Sequence, residues 1–282
     1  MSTIREEIAE GLLARRQLSA STLKTYVSLI GSMCNKMNLA SLSELDMDAV
    51  TEYINAMKSN QSKKTLCSAL YVLTGNEDIQ RMMGTFIRAV EDKYKEHQYT
   101  PAEESKRLSF DQVKAIVDRF MVHAKDTKQA LQDAILCALV SGVYQKPRRL
   151  LDWTAMKLRN ADRDKDNFIL GNNFVFNTYK TKSTYGTQTV VIHPTVKKLI
   201  AAWKRLDDPS DYLLVQRNGQ PYSSPTLCKK LKTMFGASCN MLRHTYLNDV
   251  TYNDDLMKKL QETSSEMGSS MESAQNYYLK KT

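Results

Sequence analysis

The sequence predicts a mainly helical fold with one small antiparallel sheet, divided into two lobes. Three observations carry that expectation. Apolar residues recur at three- and four-residue spacing through most of the first 95 positions and again after residue 108. A polar, aperiodic stretch containing Pro101 lies between the two periodic regions. Short β-prone runs are confined to about 167–194.

In chain order, residues 19–38 read as an amphipathic helix. Ser21 is its candidate cap, and Leu23, Tyr26, Val27, Ile30, Met33, Cys34 and Met37 form one stripe. A second helix starts near Asp46 or Asp48 and turns Val50, Tyr53, Ile54 and Met57 inward. A third runs from about Ser62 through Leu66, Leu70 and Leu73 and stops at Gly75. A fourth covers about 76–95, with Met82, Met83, Phe86, Ile87 and Val90 on one face. Four short helices thus predict a small helical domain over 1–95, followed by a linker over 96–107 and a second domain over 108–282. Ser109 is the expected cap of that domain's first helix. The apolar run about 127–142 is expected at the centre of its core. Asn167–Leu170, Phe174–Phe176 and Thr189–Ile192 predict three antiparallel strands, with a turn at Gly171-Asn172-Asn173 and a longer hairpin loop at 182–186. Helices resume near residue 195, and Pro221 to Pro225 precedes a basic helix from Thr226 to Phe235.

Bulk composition narrows the function classes. The 282 residues are 42% apolar and 25% charged, ordinary values for a globular chain. No apolar run approaches the ~18 residues that span a bilayer, and Met1–Glu7 lacks the apolar core of a signal peptide, so an intracellular protein without a membrane partner is expected. Five widely spaced cysteines argue against a disulfide framework, and no Cys/His pair has zinc spacing, so neither a structural metal nor a cofactor is expected. The net charge of +9 favours polyanionic partners without choosing one.

The residues able to do chemistry are concentrated late in the chain. Asn240-Met241-Leu242-Arg243-His244-Thr245-Tyr246 places Asn240 one helical turn before Arg243. Met267-Gly268-Ser269-Ser270 reads as a turn, with Tyr277-Tyr278 close behind. Upstream stands Pro147-Arg148-Arg149-Leu150-Leu151-Asp152. Taken singly, these have ordinary readings: a solvated basic cluster, and an aromatic pair docking a tail.

Together these motifs resemble the active-site end of the tyrosine recombinases, the phage-integrase family. The Pro-Arg-Arg-Leu-x-Asp wording looks closer to integrases of DNA viruses and mobile elements than to chromosome-dimer resolvases. The resemblance is specific from Arg149 onward and only architectural before residue 108. It implies an N-terminal core-binding domain and a C-terminal catalytic domain closing as a C-shaped clamp on double-stranded DNA, with a homo-tetramer as the working unit and no metal or cofactor.

The resemblance also implies roles. Arg149 takes the first-arginine role, because counting from it sets Asp152 at the family's acid position; counting from Arg148 matches poorly. Arg243 is the second arginine. A planar, permanently charged fork suits two phosphate oxygens. Lys180, in Tyr179-Lys180-Thr181, is the expected donor to the leaving 5′-oxygen, with Lys182 as its alternative on the same strand face. Tyr278 stands nine residues after Ser269, the family's spacing to the nucleophile; Tyr277 is one short. Asn240 and Ser269 depart from the family, which carries histidine, or tryptophan at the second position. Asparagine and serine bind phosphate but do not titrate near neutral pH.

Three outcomes follow from these residues: site-specific recombination through a 3′-phosphotyrosyl link, the related type IB topoisomerase or telomere-resolvase chemistry, or DNA binding by a protein of the same fold with impaired catalysis.

Overall fold

A computed structural model of the chain describes residues 3–95, 99–206, 210–250 and 256–273. It divides into two compact units, residues 1–96 and 97–282.

The first unit is helical: α1 (Ile4–Arg15), α2 (Ala20–Lys36), α3 (Met47–Ala56), α4 (Asn60–Thr74) and α5 (Glu77–Lys95), with a single 3-10 turn at Leu42–Glu44. Its core joins Ile8 and Leu12 of α1 to Ile30 and Met33 of α2, Ile54 of α3, and Leu66 and Leu70 of α4. Two details differ from the sequence reading. The cap of α2 is Ser19, whose hydroxyl accepts from the Thr22 amide, rather than Ser21. The helix α1 adds a fifth to the expected four. Its buried residues, Ile8 and Leu12, mark a stripe too narrow to stand out among its charges.

The second unit sets α6 (Pro101–Glu104), α7 (Phe110–Val122), α8 (Lys128–Val140) and α9 (Leu150–Thr154) before an antiparallel sheet. Its strands are β1 (Phe168–Leu170), β2 (Asn173–Phe176) and β3 (Gln188–Val191), in the order β1-β2-β3. The register pairs Ile169 with Phe174 and Val175 with Thr189. A short α10 (Lys182–Tyr185) sits between β2 and β3. After the sheet come α11 (Pro194–Lys204), α12 (Ser224–Phe235), α13 (Cys239–Val250), α14 (Leu256–Glu266) and α15 (Met271–Ser273). Helix α8 is the core, since Ala134 to Val140 are all buried. Trp153 of α9 meets the Phe174 and Phe176 rings edge-on at 5.0 and 5.3 Å, which fastens α9 to the sheet.

The stretch with linker composition contains α6. Thr100 caps α6 through a capping box with Glu103. Tyr99 lies edge-on to His244 with ring centroids 6.2 Å apart, and the Leu108 carbonyl accepts from Thr245 Oγ1 at 2.9 Å. These contacts hold α13. Its other face fits against the end of α8, where Gly142 has φ +86° and a Cβ would overlap the Tyr246 ring. Only glycine meets both demands there.

The β2 strand ends at Phe176, short of the two candidate lysines. The Asn167 side chain takes the Asn177 and Thr178 amides, at 2.9 and 2.8 Å, and donates to the Asp152 and Thr178 carbonyls. Amides satisfied by a side chain leave the ladder, so the chain turns. Lys180 therefore lies in a turn and Lys182 begins α10, not on one face of a strand as their spacing predicted.

Candidate functional site

The sequence-predicted residues come from four separate elements, and the end of α14 is where several of them meet. That end is a Schellman motif. The Ser269 amide donates to the Ser264 carbonyl at 2.8 Å, the Gly268 amide donates to Ser265 at 3.0 Å, and Gly268 takes φ +67°. Met267 is fully buried, anchoring the turn. A Cβ on Gly268 would stand 2.9 Å from an Arg148 nitrogen, so glycine is required by space as well as by conformation.

Two of the predicted arginines address this turn. Arg149, the N-cap of α9, donates through Nη1 to the Gly268 carbonyl. Arg243, on α13, donates through Nη2 to Ser269 Oγ at 2.6 Å. Thr181 Oγ1 also donates to the Gly268 carbonyl, at 2.8 Å. That contact brings the braced turn carrying Lys180 to the same place. Arg149 is half-buried and Lys180 exposed. Asn240 is exposed at the start of α13, while Arg243 and Ser269, at 0% and 2% exposure, are covered. Tyr277 and Tyr278 lie outside the described residues.

The two adjacent arginines do different work. Arg148 is buried, and its Nε donates to Asp152 Oδ2 at 2.8 Å. The acid three residues after Arg149 thus pairs with Arg148 rather than with Arg149. Burial pushes the Asp152 carboxyl up and the Arg148 guanidinium down, each opposed by the charge of the other. Arg149 and Arg243 also favour the ionised Asp152. Cys239 sits under the same cluster. Burial pushes its thiol up to about 11 against the pull of Arg243. Lys157 is drawn away to Asp166, 3.1 Å distant.

Sequence reasoning missed Thr181, Gln188 and the structural role of Arg148. The Lys-Thr pair was a readable signal for Thr181. Nothing local marks Gln188. Among the described residues, no group of three or more His, Cys, Asp or Glu is placed to hold a metal ion. No described helix is long and apolar enough to cross a membrane.

Solved structures with a similar fold include DNA recombinases. A lambda integrase tetramer bound to a Holliday junction matches with a TM-score of 0.57 at 15% identity, covering 94% of this chain and 73% of that one. A lambda integrase (residues 75–356) dimer bound to a COC′ core site matches at 0.56 and 16% identity, covering 95% of both chains. The XerH site-specific recombinase bound to its difH substrate, in a pre-cleavage complex, matches at 0.56 and 13% identity over 97% of this chain and 80% of that one. No protein-family model matches the sequence, and no curated protein does. The chain therefore has the tyrosine recombinase (integrase) fold, along nearly its whole length.

Proposed function

We propose that the chain is a site-specific DNA strand transferase that cuts and rejoins duplex DNA through a phosphotyrosine. The observation that carries this reading is the meeting of Arg149 and Arg243, distant in sequence, on the consecutive residues Gly268 and Ser269. Two guanidinium groups aimed at one turn can exchange those partners for the oxygens of a scissile phosphate and balance the charge of its pentacoordinate transition state. The Tyr278 oxygen attacks phosphorus and the P–O5′ bond breaks. Lys180 gives a proton to the departing 5′-oxygen, and the phenolic proton passes to water. The 3′-phosphotyrosyl bond keeps the energy of the broken one, so a partner 5′-hydroxyl reverses the step without metal, ATP or other cofactor. Asn240 and Ser269 add hydrogen bonds in place of histidines. By analogy with the lambda integrase tetramer on a Holliday junction, four copies around two duplexes form the working unit, acting inside the cell.

A second reading has its own observation. Arg243 is wholly covered, its Nη2 held by Ser269, and neither Asn240 nor Ser269 titrates. A protein of this fold that binds DNA without cutting it would tolerate all three features.

Covalent capture decides between them. The protein is mixed with nicked duplexes tiled across the DNA flanking its gene and run on denaturing and native gels. The expected result is a denaturant-stable adduct that Tyr278→Phe abolishes and Tyr277→Phe keeps. Sequence-specific shifts with no adduct favour the binding protein.

A further inference from the structure

We propose that Arg148 is a positioning residue, a buried latch that holds the end of α14 so that Ser269 faces Arg243 and the Gly268 carbonyl faces Arg149. It rests on reading that turn as part of a phosphate site. The last carbonyls of a helix have no partners within the helix and carry the negative end of its dipole. Here they are taken up from the sheet side. Arg148 Nη1 donates to the Glu266 carbonyl at 2.6 Å and to Gln188 Oε1 at 2.8 Å. Gln188, at the start of β3, donates in turn to the Ser265 carbonyl at 2.9 Å. Behind them, Asp152 fixes the guanidinium through Nε at 2.8 Å, and the Phe176 ring lies 3.9 Å below its central carbon.

Such a geometry asks for arginine. One planar group reaches a carboxylate, a side-chain amide, a backbone carbonyl and an aromatic face at once, which an ammonium on a flexible stem does not. At 1% exposure Arg148 is out of reach of DNA, unlike its neighbour Arg149. It therefore acts through the turn. If the latch slips, Ser269 and Gly268 move together, because they are consecutive residues of one Schellman motif.

The test uses the full chain with two variants. In Arg148→Met/Asp152→Leu the buried ion pair becomes apolar packing, an exchange that generally preserves stability while removing every hydrogen bond of the Arg148 guanidinium. Arg148→Lys keeps the charge opposite Asp152 and loses the fork. Amide hydrogen exchange over residues 263–269 is measured without DNA. Single-turnover adduct formation and native-gel affinity are measured on the nicked duplex that captures the wild type.

In the double variant the Gly268 and Ser269 amides are expected to exchange about tenfold faster while the rest of the unit stays protected. The adduct is expected to form about 100-fold more slowly, with DNA affinity within about twofold of wild type. Arg148→Lys falls between the two. Unchanged exchange in the double variant overturns the latch. So does a loss of DNA affinity equal to that of Arg149→Ala, because Arg148 would then be touching phosphate itself. A wild type that forms no adduct on any duplex defeats the recombinase reading, and the exchange comparison still decides the latch.

Discussion

The two units bury different chemistry. Among the described residues of 1–96 the buried side chains are apolar, and helices α1 to α5 meet through Ile, Leu, Val, Met and Cys. In the second unit the buried set also includes Gln132, Arg148, Asp152, Asn167, Asn177, Arg243 and Ser269, and among the described residues every buried polar or charged side chain lies there. Burying a polar group costs free energy unless it is paired, and burying a charge costs more. The first unit avoids that cost. The second accepts it in the region joining α9, the sheet, α13 and the end of α14, where the proposed phosphate site would call for a fixed polar geometry.

Each part of this contrast can be tested, starting where the effect is largest. Leu70 is fully buried in the first core, and Leu70→Ala is expected to cost about 2–5 kcal/mol. Both tryptophans, Trp153 and Trp203, belong to the second unit, so circular dichroism should register the loss in urea while the tryptophan emission transition stays in place. Equal shifts in both signals would mean that the units unfold as one, and the contrast would lose its thermodynamic content.

The second unit's polar brace should respond more modestly. Asn167→Ala removes two donated and two accepted hydrogen bonds. It is expected to cost about 2–3 kcal/mol, because the Asn177 and Thr178 amides lose their partner. Here the tryptophan transition should move, and proteolysis near Lys180 should quicken. A variant as stable as wild type by urea melt would show that the brace is replaceable by water.

The smallest effect returns to the apolar core. Burial pushes the Cys67 thiol up to about 11, partly opposed by a backbone hydrogen bond and Lys63. The unfolded thiol ionises at about 8.5. The native state therefore holds its proton more tightly, so this contribution to stability is complete below the unfolded value and is lost as pH rises towards about 11. Each pH unit in that window costs at most about 1.4 kcal/mol. Chemical melts at pH 8 and pH 10 should converge in Cys67→Ala relative to wild type, and an identical alkaline loss in both proteins would dispose of the assignment.

Much of the fold was legible locally. The apolar run of α8, the β-prone runs either side of Gly171-Asn172, and the cap at Ser109 all followed from side-chain spacing, because helix and strand periodicity is a property of neighbours in sequence. The failures were of two kinds. Helix α1 carries Ile4, Ile8 and Leu12 at four-residue spacing, a stripe one residue wide flanked by Glu6, Glu7 and Glu10. The course of the chain past β2 depends on Asn167, 10 and 11 residues upstream of the amides it captures, and no local rule reports that competition.

For the proposed site, the sequence by itself picked out the candidate residues: two arginines in separate motifs, lysines beside the sheet, and a Met-Gly-Ser turn whose glycine ends a helix. Only the tertiary structure decided how the adjacent arginines divide their work. Arg148 and Arg149 are chemically identical and one residue apart, so pattern alone separated them by spacing to Asp152. Packing sent Arg148 inward to Asp152 and the Glu266 carbonyl, and Arg149 to the Gly268 carbonyl. The two carbonyls that settle the matter arrive from more than a hundred residues downstream, and burial, not sequence, fixes which charge is paired and which is left within reach of a ligand.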